Sequence, residues 1–295
     1  MKKIFALLLC LSLAASLALP ALADSEFAGE ARAVIGANLT EEQIAQVYSL
    51  FGVERGSVTE LTVTNQEERA YLDGLVDESL IGSNSISCVY VEVLAPGQGL
   101  QIETENLSWC TKDMFINALV TAGIDDAKIV VAAPFPVSGT AALTGIYKAY
   151  EDITGETINE VAKLVSTQEL IVTGELAEEI GSYDALTIVN EIKLILDETK
   201  SMNDTELANA IREIAAEYQI QLVDSQVEQL VSLCRSLEKM NSDELKEKVE
   251  YVQNTIRKLS EAQDKVSGIT RTVQNIVETV RDFVSRVLSF FGFGD

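Results

Sequence analysis

The chain has 295 residues with 46 acidic and 22 basic side chains, a formal net charge of −24, and 47% hydrophobic residues. So acidic a chain is a poor partner for nucleic acid, whose affinity rests on Lys and Arg neutralising phosphate, while its apolar content argues for a folded core. Histidine is absent. That excludes Ser-His-Asp and Cys-His catalysis, H-E-x-x-H zinc centres and histidine general acids, so any enzymatic reading must run on carboxylates, Lys, Tyr or hydroxyls.

The first segment, 1–23, reads as a secretory leader. Lys2 and Lys3 precede an apolar run from Ile4 to Leu19, and Pro20-Ala21-Leu22-Ala23 resembles a cleavage site, so export and a mature start at Asp24 are expected. The apolar run is too short for a membrane span, and no transmembrane anchor is expected in the mature chain. Cys88, Cys110 and Cys234 then remain. An odd, irregularly spaced set does not describe a disulfide framework. A Cys88–Cys110 bridge stays open at this point, with buried thiols the favoured reading.

Asp24–Ala37 reads as a lead segment without an element of its own. Thr40 and Gln43 stand at capping-box spacing, and Ile44, Val47, Leu50 and Phe51 give the following helix an apolar face up to Gly52. Val58, Leu61 and Val63 suggest a first strand, and Gln66–Gly74 a short charged helix. Ser85–Leu94 is the clearest strand, with Val89, Val91 and Val93 on one face and Tyr90, Glu92 and Leu94 on the other. Ala95–Gly99 looks like a turn that returns the chain through Leu100–Leu107 as a hairpin. Thr111–Gly123 is an amphipathic helix, and Ile129–Ala133 a buried strand that Pro134 and Pro136 stop. Ser138-Gly139-Thr140 then supplies a helix start, with a hydroxyl able to cap the next helix, which runs to Tyr150.

From Val58 to Ala133 the order is β-α-β-β-α-β, so 24–150 is expected to be an α+β domain of ferredoxin-like pattern. Residues 151–240 read as helices joined at Gly155, Gly174, Gly181 and Met202-Asn203, with Glu169–Thr173 the one strand-like stretch. In 241–295, Leu245, Val252, Leu259, Val266, Val273, Val280 and Val287 recur at heptad spacing. A long amphipathic helix is expected there. Asn241–Phe291 has three destinations: its own domain, another copy or partner, or a membrane surface suited by Arg271, Arg281 and Arg286.

Candidate ligand-binding residues are Pro134, Pro136, Ser138, Gly139, Thr140 and Thr144, small or hydroxyl-bearing groups around a helix start. The spacing is not that of a Walker loop, and a plain helix cap explains most of the pattern. Adjacent acids such as Glu67-Glu68, Asp125-Asp126 and Glu178-Glu179 lack a calcium-loop pattern and read as solvated faces, so no metal site, catalytic residue or cofactor is assigned.

The run VVAAPFPVSGTAALTGIYKAYE at Val130–Glu151 resembles the YpuA-like exported proteins of Gram-positive bacteria. LTEEQ at Leu39–Gln43, TVTNQEERAYL at Thr62–Leu72 and ISCVYVE at Ile86–Glu92 extend the likeness, which covers Val34 to Glu151 well. The resemblance implies export and envelope association, in a family catalogued as a domain of unknown function, and brings no catalytic residues. The resulting expectation is an exported, non-enzymatic envelope protein that binds or assembles through its last helix. The contrasting one is a carboxylate-dependent hydrolase of cell-wall polymer, which needs two acids flanking a groove, one with a raised pKa.

Overall fold

The computed structural model describes residues 26–75 and 81–250; the leader and the heptad stretch from 251 onward lie outside the described residues. The elements run Ala31–Gly36 (β1), Glu41–Phe51 (α1), Thr59–Val63 (β2), Asn65–Leu72 (α2), Cys88–Val93 (β3), Leu100–Leu107 (β4), Lys112–Ala122 (α3) and Ala127–Val137 (β5). Helices follow at Ala142–Thr154 (α4), Glu160–Ile180 (α5), Ser182–Leu194 (α6), Leu196–Thr199 (α7), Asp204–Glu217 (α8) and Asp224–Leu237 (α9). The protein is a mixed α/β structure with a five-stranded sheet in the order β2-β1-β3-β5-β4.

β1 arises in what read as a bare lead segment. Its apolar run is short and flanked by Glu30 and Arg32, too little for a period to register, yet it pairs parallel with β2 and antiparallel with β3. The expected hairpin is also corrected. β3 and β4 do not pair with each other; both flank β5, β3 antiparallel and β4 parallel. Burial explains the choice. Cys88, Val89, Tyr90 and Val91 are all buried, so β3 belongs in the centre of a sheet covered on both faces, whereas β4 exposes Gln101, Glu103 and Glu105 and takes an edge. The ferredoxin-like order is therefore not the one formed. Two β-α-β units, β1-α1-β2 and β4-α3-β5, flank the antiparallel β3 instead.

One sheet face packs Ala33, Ile35, Cys88, Tyr90, Val130 and Ala132 against Ile44, Val47, Tyr48 and Phe51 of α1. The other packs Val34, Val89, Val91 and Val131 against Phe115 and Leu119 of α3 and Leu143, Ile146 and Tyr147 of α4. These are the two faces that the alternation in β3 predicts. A second core joins α5, α6, α8 and α9 through Val172, Leu176, Ile188, Ile192, Leu207, Ile211, Leu230 and Leu233. α3 belongs to both cores, with Leu119 in one and Val120 in the other.

Glu169–Thr173 is helical, and Gly174 does not join two helices: α5 is a single element of 21 residues. Its inward polar residues Lys163, Ser166, Thr167, Glu169 and Thr173 are buried, which blurs the apolar period by which a helix is recognised. Residues 242–250 are helical, and Leu245 and Val249 enter the second core. Lys248 Nζ reaches Asp125 at 3.0 Å and Ser242 Oγ donates to Asp197. The opening turns of the heptad stretch thus pack on the body of the protein, with its first two stripe residues turned inward.

The helix starts follow side-chain chemistry. Thr40 with Gln43, and Thr64 with Glu67, form reciprocal capping boxes, and Thr111 Oγ1 accepts from the Met114 N–H. Thr111→Ala is expected to lower unfolding free energy by about 1 kcal/mol, with Thr111→Ser close to the parent. Urea denaturation of the three proteins measures it.

Candidate functional site: the carboxyl rim of the sheet

β1, β2, β4 and β5 point the same way, so their carboxyl ends, with the start of β3, form one rim. Each of these four strands leads into a helix, so α1, α2, α3 and α4 all begin there. Helix N-termini carry unpaired N–H groups and partial positive charge, and crevices beyond the carboxyl ends of strands are common ligand sites in α/β sheets. Thr40, Thr64 and Thr111 cap three of the four starts with their own side chains. The fourth, α4, has Ala141 as its N-cap and no side-chain cap.

The segment singled out from sequence lies on this rim, with corrections. Pro134 and Pro136 do not end the strand but lie inside β5. β3 pairs with β5 only as far as Ala132, and the β4 register slips between Glu105 and Leu107, so no ladder bond needs the missing proline donors. Asn106, at φ 60°, fills the irregularity, its amide donating to Ala133 O at 2.7 Å. From α1, Gln46 Nε2 donates to Pro134 O at 3.0 Å. Pro134 is buried, while Phe135, 43% exposed, and Pro136 face solvent.

Ser138 does not cap α4; its hydroxyl lies 3.3 Å from that of Thr140. Gly139 takes φ 91°, and a Cβ there would press on Leu107 and Cys110 at 3.1–3.3 Å, so both backbone and space favour glycine. The loop is fastened by main-chain bonds from Ser108 N to Val137 O and from Cys110 N to Ser138 O, at 2.8 and 3.0 Å. Thr140 and Thr144 are buried. The structure therefore brings Pro134, Pro136, Ser138, Gly139 and Thr140 to one rim, and Thr144 one turn inside α4, away from its surface.

Around this loop, Trp109 packs with Leu72, Ile81, Ala141 and Ile171. Its indole N–H donates to Glu178 Oε1 at 2.8 Å, and its ring covers Gly174 of α5. The rim is thereby tied to the helical layer. Cys88 and Cys110 are both buried free thiols, as is Cys234. Burial pushes the Cys88 thiol up to about 12 and the Cys234 thiol up to about 11, so neither is a thiolate nucleophile near neutral pH.

One carboxylate of an adjacent acid pair is enclosed. The sequence makes Glu67 and Glu68 a shared solvated face, but only Glu67 lies there, pairing with Lys148 Nζ at 2.6 Å. Glu68 is 0% exposed, bonded by Ser85 Oγ at 2.5 Å and by Asn65 Nδ2 at 3.4 Å, and burial raises its carboxyl to about 7. The sequence holds a signal for this: Glu68 stands four residues before the buried Leu72, on the inward stripe of α2.

Deeper in, Lys193 of α6 and Glu169 of α5 form an ion pair of 2.5 Å with both side chains fully enclosed. Thr121 Oγ1 donates to the other Glu169 oxygen at 2.5 Å, and Lys193 Nζ donates to Asn117 O at 3.3 Å. Burial drives the Glu169 carboxyl up and the Lys193 ammonium down, and their mutual attraction opposes both shifts. Among the described residues no group of three or more Cys, Asp or Glu side chains is placed to hold a metal ion. No helix among them is long and apolar enough to cross a membrane.

The family described as "Protein of unknown function (DUF1002)" matches residues 35–259. "Uncharacterized protein YpuA" of Bacillus subtilis (strain 168) is 36% identical over 264 residues, covering 89% of this chain and 86% of that protein. No solved structure matches the chain.

Proposed function

The chain belongs to the DUF1002 family of proteins of unknown function, and from that premise we propose that it is an exported, envelope-associated protein that works by binding, with its ligand docking at the carboxyl rim of the sheet. The observation that carries this reading is the convergence of four strand ends and four helix starts on one rim, where β5 turns Phe135 and Pro136 outward beside the α4 start. Pro134, Pro136, Ser138, Gly139 and Thr140 shape that surface, and Thr144 supports it from within. The leader-like segment 1–23 supplies export, and the stretch beyond Glu250 supplies attachment, through a second copy or the envelope surface. Glu68 and Glu169 do not supply the acid pair that the hydrolase reading needs, because a polymer chain does not reach carboxyls 0% and 1% exposed.

The test is co-sedimentation of the chain from Asp24 onward with purified cell-wall sacculi and, separately, with phosphatidylglycerol vesicles. Two variants go alongside: Phe135→Ser with Pro136→Ser, and Arg271, Arg281 and Arg286 all changed to Glu. Loss of sacculus binding by about tenfold or more in the rim variant, at unchanged thermal stability, is the expected result, the roughly 1.4 kcal/mol that truncating an aromatic hot-spot anchor costs. A rim variant that pellets as the parent does would place the contact elsewhere. Binding lost only in the arginine variant would assign attachment to the last segment alone.

A further inference from the structure

Residues 81–87 close over the end of β1. Ser85 N donates to Asn38 Oδ1 at 2.9 Å, and Asn38 N donates to Ser85 O at 3.2 Å. The fit is close: a Cβ on Gly36 would lie 2.5 Å from the Ser85 carbonyl oxygen. Below, α2 holds the same segment through Arg69 Nη2 to Gly82 O at 2.8 Å, and through Glu68, whose carboxylate accepts from the Ser85 hydroxyl. Ile81 packs with Leu72 and Ala141, so the segment borders the start of α4.

We propose that Glu68 is a latch that holds 81–87 shut against the end of β1 while it is protonated, and that its ionisation releases the segment. The partners of its carboxyl are a hydroxyl and an amide rather than a cation, so nothing in its hydrogen-bonded shell balances a negative charge. The charged groups around it fit this. Glu67 adds repulsion from the same helix and engages Lys148 of α4; Arg69 bonds Asn65, Asp73 and Gly82. From β3 the neighbouring titratable group is the Cys88 thiol, which receives the Gly36 N–H at 3.4 Å and lies 3.4 Å from Ile86 O. Cys88 itself packs beneath α1, whereas Ser87, 6% exposed, lies within the segment and can carry a reporter of its opening.

The sign follows from linkage. With the segment closed the carboxyl titrates near 7, and once released into water it returns to about 4.3. The closed form therefore binds the extra proton, and its advantage is complete below the lower value and lost as pH rises through the window. The opening constant rises by nearly tenfold per pH unit across that window, about two orders of magnitude in all, and levels off above it. That the opened segment changes ligand access rests on the rim being the binding surface; the latch itself does not.

The experiment uses the chain from Asp24 onward carrying Ser87→Cys, with 4,4′-dithiodipyridine, which modifies thiols in acid as well as neutral solution. Labelling at position 87 relative to Cys110 and Cys234, mapped by mass spectrometry from pH 4.5 to 8.5, is expected to rise by about two orders of magnitude and then flatten. In Glu68→Gln the ratio stays flat, and in Ser85→Ala, which removes a bond favouring the carboxylate, the rise starts at the same pH but levels off at higher pH. Since no ligand is present, failure of the rim reading leaves these outcomes unchanged. A flat ratio with Glu68 in place, a Glu68→Gln profile matching it, or position 87 opening together with Cys110 and Cys234 would overturn the latch. If Glu68→Gln does not fold, the direction of the Ser85→Ala shift decides.

Discussion

Lys193→Met is expected to cost about 3–5 kcal/mol of folding free energy, the range for leaving one charge of a buried pair unmatched. The enclosure of both partners sets the size. Lys193 and Glu169 have side chains 0% and 1% exposed, so a carboxylate deprived of its ammonium has no water to turn to. It keeps only the Thr121 hydroxyl, at 2.5 Å on the other oxygen. The same substitution leaves Asn117 O without its lysine donor. Replacing both charges, Lys193→Met with Glu169→Leu, should recover most of the loss, because apolar residues of similar volume remove the desolvation cost along with the attraction. A double-mutant cycle by urea denaturation measures this. A single-variant loss below about 1 kcal/mol would mean that the pair is hydrated in solution, as surface pairs are. The pair is a price in stability that fixes how α3, α5 and α6 sit together, since a shifted register would strand both charges.

Gly174→Val should cost about 3 kcal/mol, the lower part of the range for emptying an aromatic from its packing. Any Cβ at Gly174 would overlap the Trp109 ring, so ring and side chain cannot share the space. The indole would have to leave α5, giving up its bond to Glu178 and its contacts with Leu72, Ala141 and Ile171. In a Trp109→Ala background the same glycine substitution should cost less than about 1 kcal/mol, the residue of helix and β-branching effects. Thermal denaturation across the four proteins decides it; additive losses would show that the ring and Gly174 do not compete. The pairing also links levels of the structure. Trp109 lies between β4 and α3 and is bound to the rim loop through its neighbours Ser108 and Cys110, so displacing it should loosen Val137 and Ser138 as well.

Much of the local structure was legible because short-range chemistry governs it. Thr40 with Gln43, and Thr111 before Gly123, announce helices through groups that satisfy neighbouring N–H donors, and those helices form where expected. The two faces of β3 follow from alternation alone. Where the reading failed, distant partners had overridden a local rule. Pro134 and Pro136 stay in β5 because the register slip opposite Asn106 removes the need for their donors, which no property of the prolines reveals. Glu68 looked like half of an exposed acid pair until Ser85, from a loop beyond it in sequence, covered it.

What the sequence determined by itself was therefore composition-level chemistry, including the lack of histidine, the capped helices, the alternating strand and the family resemblance, all carried by residues close together along the chain. Which strands became neighbours was decided only in three dimensions. β3 has two apolar faces and could not remain at an edge beside β4, so it moved to the centre of the sheet between β1 and β5. That placement aligned four strand ends into a rim, while Ser85 enclosed Glu68 and the packing of α5 on α6 set Lys193 against Glu169. The physical reason is that burial is a property of the assembled sheet and helices, and a side chain's charge, reactivity and exposure depend on who covers it.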